Sequence, residues 1–335
     1  MGRSGNRDSL AASCHDHIRE RSELSGPFPM KTVLVTGATG FIGRHVIEPL
    51  VGEGFDVHCV YRTKRPETIF DGGAATWHQV DLLNGNEVKN LFDSFSPAYL
   101  LHLAWDVTPG SYLESVNNFS WLDFSLHLLR EFAESGGTRA VCAGTCIEYD
   151  VRYGYCIEYL TPTVPSTYYG ICKHQLQSIG EKYADKMGFD FAWGRIFQPY
   201  GPYEYPARLV PSVIRSLLND EPARCTHGNQ VRDFLYVADV ADAFVALLDS
   251  EVTGIVNIGS GEPVSIKELV MQIAHLLGKE DDILFGALPA RENEPPFIVA
   301  DTGRLKKEVQ WHQRYPLEKG IMETVSWWKK MGIQE

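Results

Sequence analysis

The sequence predicts a doubly wound α/β protein, a parallel sheet with helices on both faces and a smaller C-terminal lobe. Three observations carry this. Short apolar runs alternate with amphipathic, helix-length segments from Met30 to Arg195, and a glycine-rich turn follows the first run. Beyond Arg195 the rhythm gives way to Pro and Gly clusters at 199–206, 221–228 and 287–296. The runs at 32–35, 56–61, 76–80, 99–103, 140–143 and 189–193 read as buried parallel strands, with helices at 87–95 and 120–134 between them. The first helix carries Ile42, Val46 and Leu50 on one face, and Pro49 within it is expected to kink or shorten it.

The chain has 335 residues, 44% hydrophobic and 22% charged, the balance of an ordinary globular protein. A formal net charge of −12 argues against nucleic acid or an anionic membrane as partner, so a phosphorylated ligand needs specific local cations. The seven cysteines, Cys14, Cys59, Cys142, Cys146, Cys156, Cys172 and Cys225, show neither CxxC nor metal-ligand spacing. They read as reduced core thiols of a cytoplasmic protein, with no metal site. No apolar run approaches the ~18 residues that span a bilayer. Residues 1–29 are polar, lack an apolar h-region, and read as a disordered extension and not a secretory signal.

The turn Thr36-Gly37-Ala38-Thr39-Gly40-Phe41-Ile42-Gly43 closes the first strand and opens the first helix. In that context Gly37, Gly40 and Gly43 allow a tight turn, close approach of backbone to a pyrophosphate, and close helix–sheet packing. Thr39, Phe41 and Ile42 belong to the same cofactor-binding turn. About twenty residues on, where an NAD-selective site places an acid, the second strand ends Tyr61-Arg62-Thr63-Lys64-Arg65. Three cations and no acid favour NADP(H) over NAD(H), with Arg62 on the 2′-phosphate, against the alternative of a solvated basic loop. Asp81, with Leu82 beside it, either contacts the adenine or caps the next helix. Tyr169 and Lys173, four apart, share one helix face, and the lysine is expected to lower the pKa of the phenol for proton transfer. Ligands of such sheets bind outside the carboxyl ends of the strands, which gathers the glycine turn, Leu103, Ala104, Thr145 and Tyr169 around one crevice.

These motifs, in this order, resemble those of the extended short-chain dehydrogenase/reductases, the family of nucleotide-sugar epimerases, dehydratases and reductases. The resemblance runs from Met30 nearly to the end of the chain. His102-Leu103-Ala104 resembles the fourth-strand signature beside the nicotinamide ribose. Gly144-Thr145-Cys146-Ile147-Glu148-Tyr149 resembles the fifth-strand turn, with Thr145 at the catalytic hydroxyl position, and Tyr169-Gly170-Ile171-Cys172-Lys173 resembles the active-site helix. Arg195-Ile196-Phe197-Gln198-Pro199-Tyr200-Gly201-Pro202 resembles an Arg-x-x-Asn-x-Tyr-Gly-Pro segment, with Gln198 in place of asparagine. Gln230-Val231-Arg232-Asp233-Phe234 resembles the segment whose arginine clamps a diphosphate, and Asn257-Ile258-Gly259-Ser260-Gly261 is a further match.

The resemblance implies a Rossmann domain over 30–195 with 230–253 packing back on it, and a substrate-binding lobe from 196–229 and 254–335. It implies Thr145, Tyr169 and Lys173 as the catalytic residues, and Phe197 as a further cofactor contact. It also implies a nucleotide-diphosphate sugar held by Gln198 and Arg232, and a homodimer paired through helices including the one that bears Tyr169. Arg208 and Arg291 are added as phosphate or sugar contacts, and Cys146 as small packing on the substrate side, with nothing adjacent to make it a reactive thiolate.

Dehydratases of this family place Asp-Glu straight after the catalytic threonine; here Cys146 and Ile147 stand there. Members that invert carbons 3 and 5 carry a cysteine two before the tyrosine of that turn, where this chain has Ile147. Cys146 would face the other side of an extended strand. What remains is an NADPH-dependent reductase of a 4-keto-6-deoxy nucleotide sugar, with a nucleotide-sugar 4-epimerase as the alternative and a catalytically silent NADP-binding protein as a further one.

Overall fold

The computed structural model of the protein describes residues 31–64, 73–290, 292 and 294–332; the expectations for residues 1–29, Arg65 and Arg291 lie outside them. Five strands appear in order before the first break: β1 (Lys31–Thr36), β2 (Phe55–Tyr61), β3 (Ala75–Gln79), β4 (Tyr99–His102) and β5 (Arg139–Thr145). Then come β6 (Tyr155–Cys156), β7 (Asp190–Ile196), β8 (Gln198–Tyr200), β9 (Ala223–Arg224), β10 (Val231–Tyr236), β11 (Gly254–Ile258), β12 (Pro263–Ser265), β13 (Ile283–Leu284) and β14 (Phe297–Ala300). Seven of them form one parallel sheet in the order β11-β7-β5-β4-β1-β2-β3. The strand order reverses at β1, so a crevice opens beyond the sheet's carboxyl end.

Both faces are covered, as an all-parallel sheet requires. Alternate residues of β1 feed two cores. Val33 and Val35 join Val46, Leu50, Phe244 and Leu248 on one face, and Leu34 joins Leu100, Leu128, Leu176 and Trp193 on the other. The lobe has its own core, in which Val213, Leu217, Phe234, Leu269 and Ile321 meet. There β12, β10, β14 and β6 make a second sheet, with β8 alongside β10.

Three details differ from the sequence expectation. Helix Gly43–Gly52 runs through Pro49 and stops only three residues later, where Glu53 N–H reaches the Pro49 carbonyl at 3.0 Å. β11, assigned to the lobe, is a strand of the large sheet, because its wholly buried sequence Gly254–Ile258 pairs with β7. Conversely, within 230–253 only helix Val237–Asp249 lies against the glycine-turn helix, while β10 belongs to the lobe sheet. Each lobe therefore takes a strand from the other's sequence territory.

The carboxyl edge of the large sheet is stapled by a buried ion pair. Glu148 is fully buried and Arg195 1% exposed, and Arg195 Nε donates to Glu148 Oε2 at 2.9 Å. Glu148 Oε1 also accepts the Thr145 amide at 2.8 Å and Trp193 Nε1–H at 3.0 Å. Arg195 lies over the Tyr149 ring, 4.2 Å from its centroid, and the Tyr149 hydroxyl donates to Asn257 Oδ1 at 2.8 Å. The staple thus joins β5, β7 and β11. Glu148→Ala should lower unfolding stability by about 3–5 kcal/mol, because it leaves a buried guanidinium unpaired; urea unfolding of the variant against the parent measures this.

Candidate active site

The crevice is one cleft of about 2460 Å³ between the carboxyl edge of the large sheet and the lobe. That is larger than the roughly 300–1,000 Å³ of a single small-molecule pocket, so it has room for two ligands end to end. The glycine turn forms its first wall. Gly37 has φ +75°, and a Cβ there would come within 2.7 Å of the Leu103 and Ala104 backbone. A Cβ on Gly43 would come within 2.0 Å of the Gly37 carbonyl oxygen. Strand, turn and helix therefore approach each other as a pyrophosphate cradle demands. Thr39, Gly40, Phe41, Ile42, Leu103 and Ala104 line it. Behind it, Thr36 Oγ1 and His102 Nδ1 are 2.7 Å apart, and His102 Nε2 and Ser125 Oγ 2.9 Å. Burial brings His102 down to about 3, so this histidine is a neutral strut.

Arg62 stands just beyond the end of β2 and lines the cleft, as do Asp81 and Leu82 beyond β3. Asp81 Oδ1 accepts the Leu83 amide at 3.1 Å, but helix Gly85–Ser94 is capped by Asn84. The capping alternative for Asp81 is therefore not realised.

Thr145, Tyr169 and Lys173 all line the cleft. The Tyr168–Met187 helix is capped by Thr167, whose Oγ1 accepts the Gly170 amide at 3.1 Å, and this aims the first-turn Tyr169 at the carboxyl end of β5. The Thr145 hydroxyl beside the phenol works against the rise of its pKa. Lys173 Nζ donates to the Ala143 carbonyl at 2.8 Å and lies 4.0 Å from the Trp105 ring centroid. Burial, more than any neighbour, pushes the Tyr169 phenol well above its usual range, with Tyr112 and Glu148 adding to it. The lowering expected from Lys173 is not realised, because the dry surroundings penalise a phenolate. Burial also brings Lys173 down to about 8, against the pull of the Glu148 charge.

On the substrate side, Arg232 is 7% exposed, and its Nη2 donates to Glu294 Oε1 at 3.0 Å. Gln230 Nε2 donates to the other Glu294 oxygen at 2.8 Å. Gln198 lines the cleft from β8, and Arg208 lies 5.5 Å from the Tyr112 ring centroid. Phe197 is buried in the cleft wall. Cys146 and Ile147 also line it, but residues Cys146–Glu148 form a 3₁₀ turn, so the strand-alternation argument for Cys146 does not hold. Burial pushes the Cys146 thiol up to about 12, leaving it neutral.

Sequence reasoning missed Trp105, Tyr112, Glu204 and Glu294, all in the cleft wall. Trp105 was within reach, since it directly follows His102-Leu103-Ala104. Burial lifts the Glu204 carboxyl to about 8, with Arg208 opposing. Beside Glu204, Tyr203 adopts φ +68°, and the Arg44 guanidinium lies 3.8 Å from its ring centroid while donating to the Thr39 and Gly40 carbonyls. The glycine turn and the lobe loop are thereby in direct contact.

The model of the NAD dependent epimerase/dehydratase family matches residues 33–259. The chain belongs to that family. Among its relatives is the UDP-glucuronate 4-epimerase of Thermodesulfobacterium geofontis, 27% identical over 89% of this chain and 96% of the relative. The CDP-abequose synthase of Salmonella typhimurium is 26% identical over 89% of this chain and 98% of the relative. A solved UDP-glucose 4-epimerase of Thermus thermophilus, in complex with NAD, is 26% identical with a TM-score of 0.77, covering 88% of this chain and 98% of that one. In this epimerase/dehydratase-family chain, no helix among the described residues is long and apolar enough to cross a membrane.

Lys173 should lose its proton as pH rises through about 8, below the ordinary lysine range, because burial disfavours the ammonium. Titration of its ¹⁵N-labelled Nζ by NMR, assigned with Lys173→Met, checks this.

Proposed function

We propose that the protein uses NADPH to reduce the 4-keto group of a 4-keto-6-deoxy nucleotide sugar, a step of deoxysugar biosynthesis. One observation carries the reading. Thr145, Tyr169 and Lys173 converge in the cleft, while the two positions after Thr145 hold a neutral thiol and an apolar side chain. Carbonyl chemistry is equipped; elimination of water, which needs an acid and a base, is not.

A bound reduced nicotinamide supplies the hydride to carbon 4. Tyr169 holds the proton destined for the oxygen of that carbon, and its raised pKa keeps it a donor, the state that reduction needs. The Thr145 hydroxyl reaches the same oxygen and steadies the developing charge. Lys173 stabilises the phenolate left behind, which regains its proton from solvent. Arg232 is the diphosphate clamp, exchanging its Glu294 carboxylate for phosphate oxygens. Arg62 and Lys64 at the cleft wall, with no acid at the end of β2, support NADPH over NADH. The exposed Phe119, Ile171 and Ile179 support a homodimer paired through helices Asn117–Glu134 and Tyr168–Met187. A 4-epimerase uses the same residues, and the relatives named as 4-epimerases favour it as the second reading.

The deciding experiment offers NADPH with GDP-, dTDP-, CDP- and UDP-linked 4-keto-6-deoxy sugars, then the matching 4-hydroxy nucleotide hexoses, which keep their 6-hydroxyl, with oxidised cofactor. Stoichiometric NADPH oxidation with the keto sugars is expected, and Tyr169→Phe should slow it by about 10²–10⁴-fold. Inversion at carbon 4 without net cofactor consumption would establish the epimerase instead, and release of a 4-keto-6-deoxy product from a 4-hydroxy sugar would reinstate dehydration.

A second measurement concerns the cofactor. Arg62→Ala should weaken NADPH more than NADH, since only NADPH carries the 2′-phosphate. Calorimetric titration of both cofactors reads this directly, and equal losses would mark the basic stretch as a solvated loop.

A further inference from the structure

Asn118 stands in the first turn of helix Asn117–Glu134 and is 2% exposed. It does not cap that helix, whose N-cap is Val116 with no side-chain cap. Its amide is directed at the cleft wall instead. Oδ1 accepts Trp105 Nε1–H at 2.8 Å, and Nδ2 donates to the Tyr112 carbonyl at 2.6 Å and the Ser115 carbonyl at 2.8 Å. One buried amide, with both donors and its oxygen engaged, therefore fixes the Trp105 ring and the backbone that carries the Tyr112 ring. Those rings bracket the reacting pair. Tyr112 meets Tyr169 edge-on with centroids 5.0 Å apart, and Trp105 does so at 6.1 Å while its face covers the Lys173 ammonium at 4.0 Å.

We propose that Asn118 is a positioning residue for the Tyr169–Lys173 pair, acting through the Trp105 indole and the Tyr112 ring. The inference rests on the reading that this pair carries out the proton transfer. Edge-to-face contacts favour one orientation of the phenol, and the indole holds the ammonium where water would otherwise compete for it. An asparagine is a weak helix former, and its burial is tolerable only because all three hydrogen bonds are made. Without it, Trp105 keeps an orphaned N–H and the turn bearing Tyr112 loses its tether. Lys173 also faces Glu148 and Cys142 from β5 and its turn and His102 from β4, with Tyr169 one turn earlier on its own helix. The variants below change none of these.

Two readouts test the proposal on the full chain, with Asn118→Ala, Trp105→Phe and Trp105→Ala. The first is turnover of whichever nucleotide sugar the parent converts. Asn118→Ala should lower kcat by about 10–100-fold, the cost of misorienting a reacting group, with KM for the sugar within about twofold because the diphosphate clamp is untouched. Trp105→Phe, which keeps a ring and removes only the N–H, should lose less than Trp105→Ala. The second readout needs no substrate. The Lys173 Nζ titration should move to higher pH in Asn118→Ala and Trp105→Ala as water reaches the ammonium, and less so in Trp105→Phe. Parent-like kcat and titration in Asn118→Ala would overturn the proposal. So would an unmoved Lys173 titration in Trp105→Ala, and so would a rise in KM with kcat unchanged. If Asn118→Ala does not fold, the two Trp105 variants carry the test. If the parent converts no sugar, the functional reading has failed, and the titration alone still decides whether Asn118 and Trp105 set the surroundings of Lys173.

Discussion

The Glu148–Arg195 ion pair is the constraint on which the rest of the site depends. Its carboxylate receives the Thr145 amide, which fixes the turn that presents the Thr145 hydroxyl. Its arginine stacks on Tyr149, whose hydroxyl reaches Asn257 in β11. The Glu148 charge also opposes the loss of the Lys173 proton. A buried pair of this kind contributes little net stability compared with an apolar filling, but removing one partner is severe. What it provides here is register: three strand ends from distant parts of the chain are held at one height, and the cleft floor follows.

Burial then sets the proton chemistry. The same dry environment raises Tyr169, lowers Lys173 and lifts Cys146, and each shift favours the neutral form. Around Thr145 the titratable groups Tyr169 and Cys146 are thereby held neutral beside Lys173 and Glu148. In a chain of net charge −12, an anionic ligand in this cleft depends on specific cations of its lining, Arg62, Arg208 and Arg232 among them. Glu294 is one of the acids there, and it sits directly on Arg232, the guanidinium proposed above as the diphosphate clamp.

Much of the fold was legible in the sequence because its signals are local. Gly43 answers to sterics within a few residues, and the central strands of the large sheet read as apolar runs because both faces are covered. Tyr169 and Lys173 were legible because helical spacing alone puts them together. What the sequence hid depends on contacts across long separations. Glu294 reaches Arg232 from 62 positions away, and Asn118 meets Trp105 through a loop whose path no periodicity describes. The ionisation of Tyr169 was misread for the same reason: a neighbouring lysine is visible in a sequence, whereas the desolvation that overrides it is a property of the assembled interior.

The exchange of strands between the two lobes has a consequence for biosynthesis. β7 is the edge of the large sheet until β11 arrives, and between them the chain builds β8, β9 and β10 of the lobe. A nascent chain emerging in order therefore carries an open, apolar sheet edge while the lobe is still incomplete. Neither half is a self-sufficient folding unit, and the sheet closes only when Gly254–Ile258 has left the ribosome. Until then the open β7 edge is free to pair with a strand of another chain.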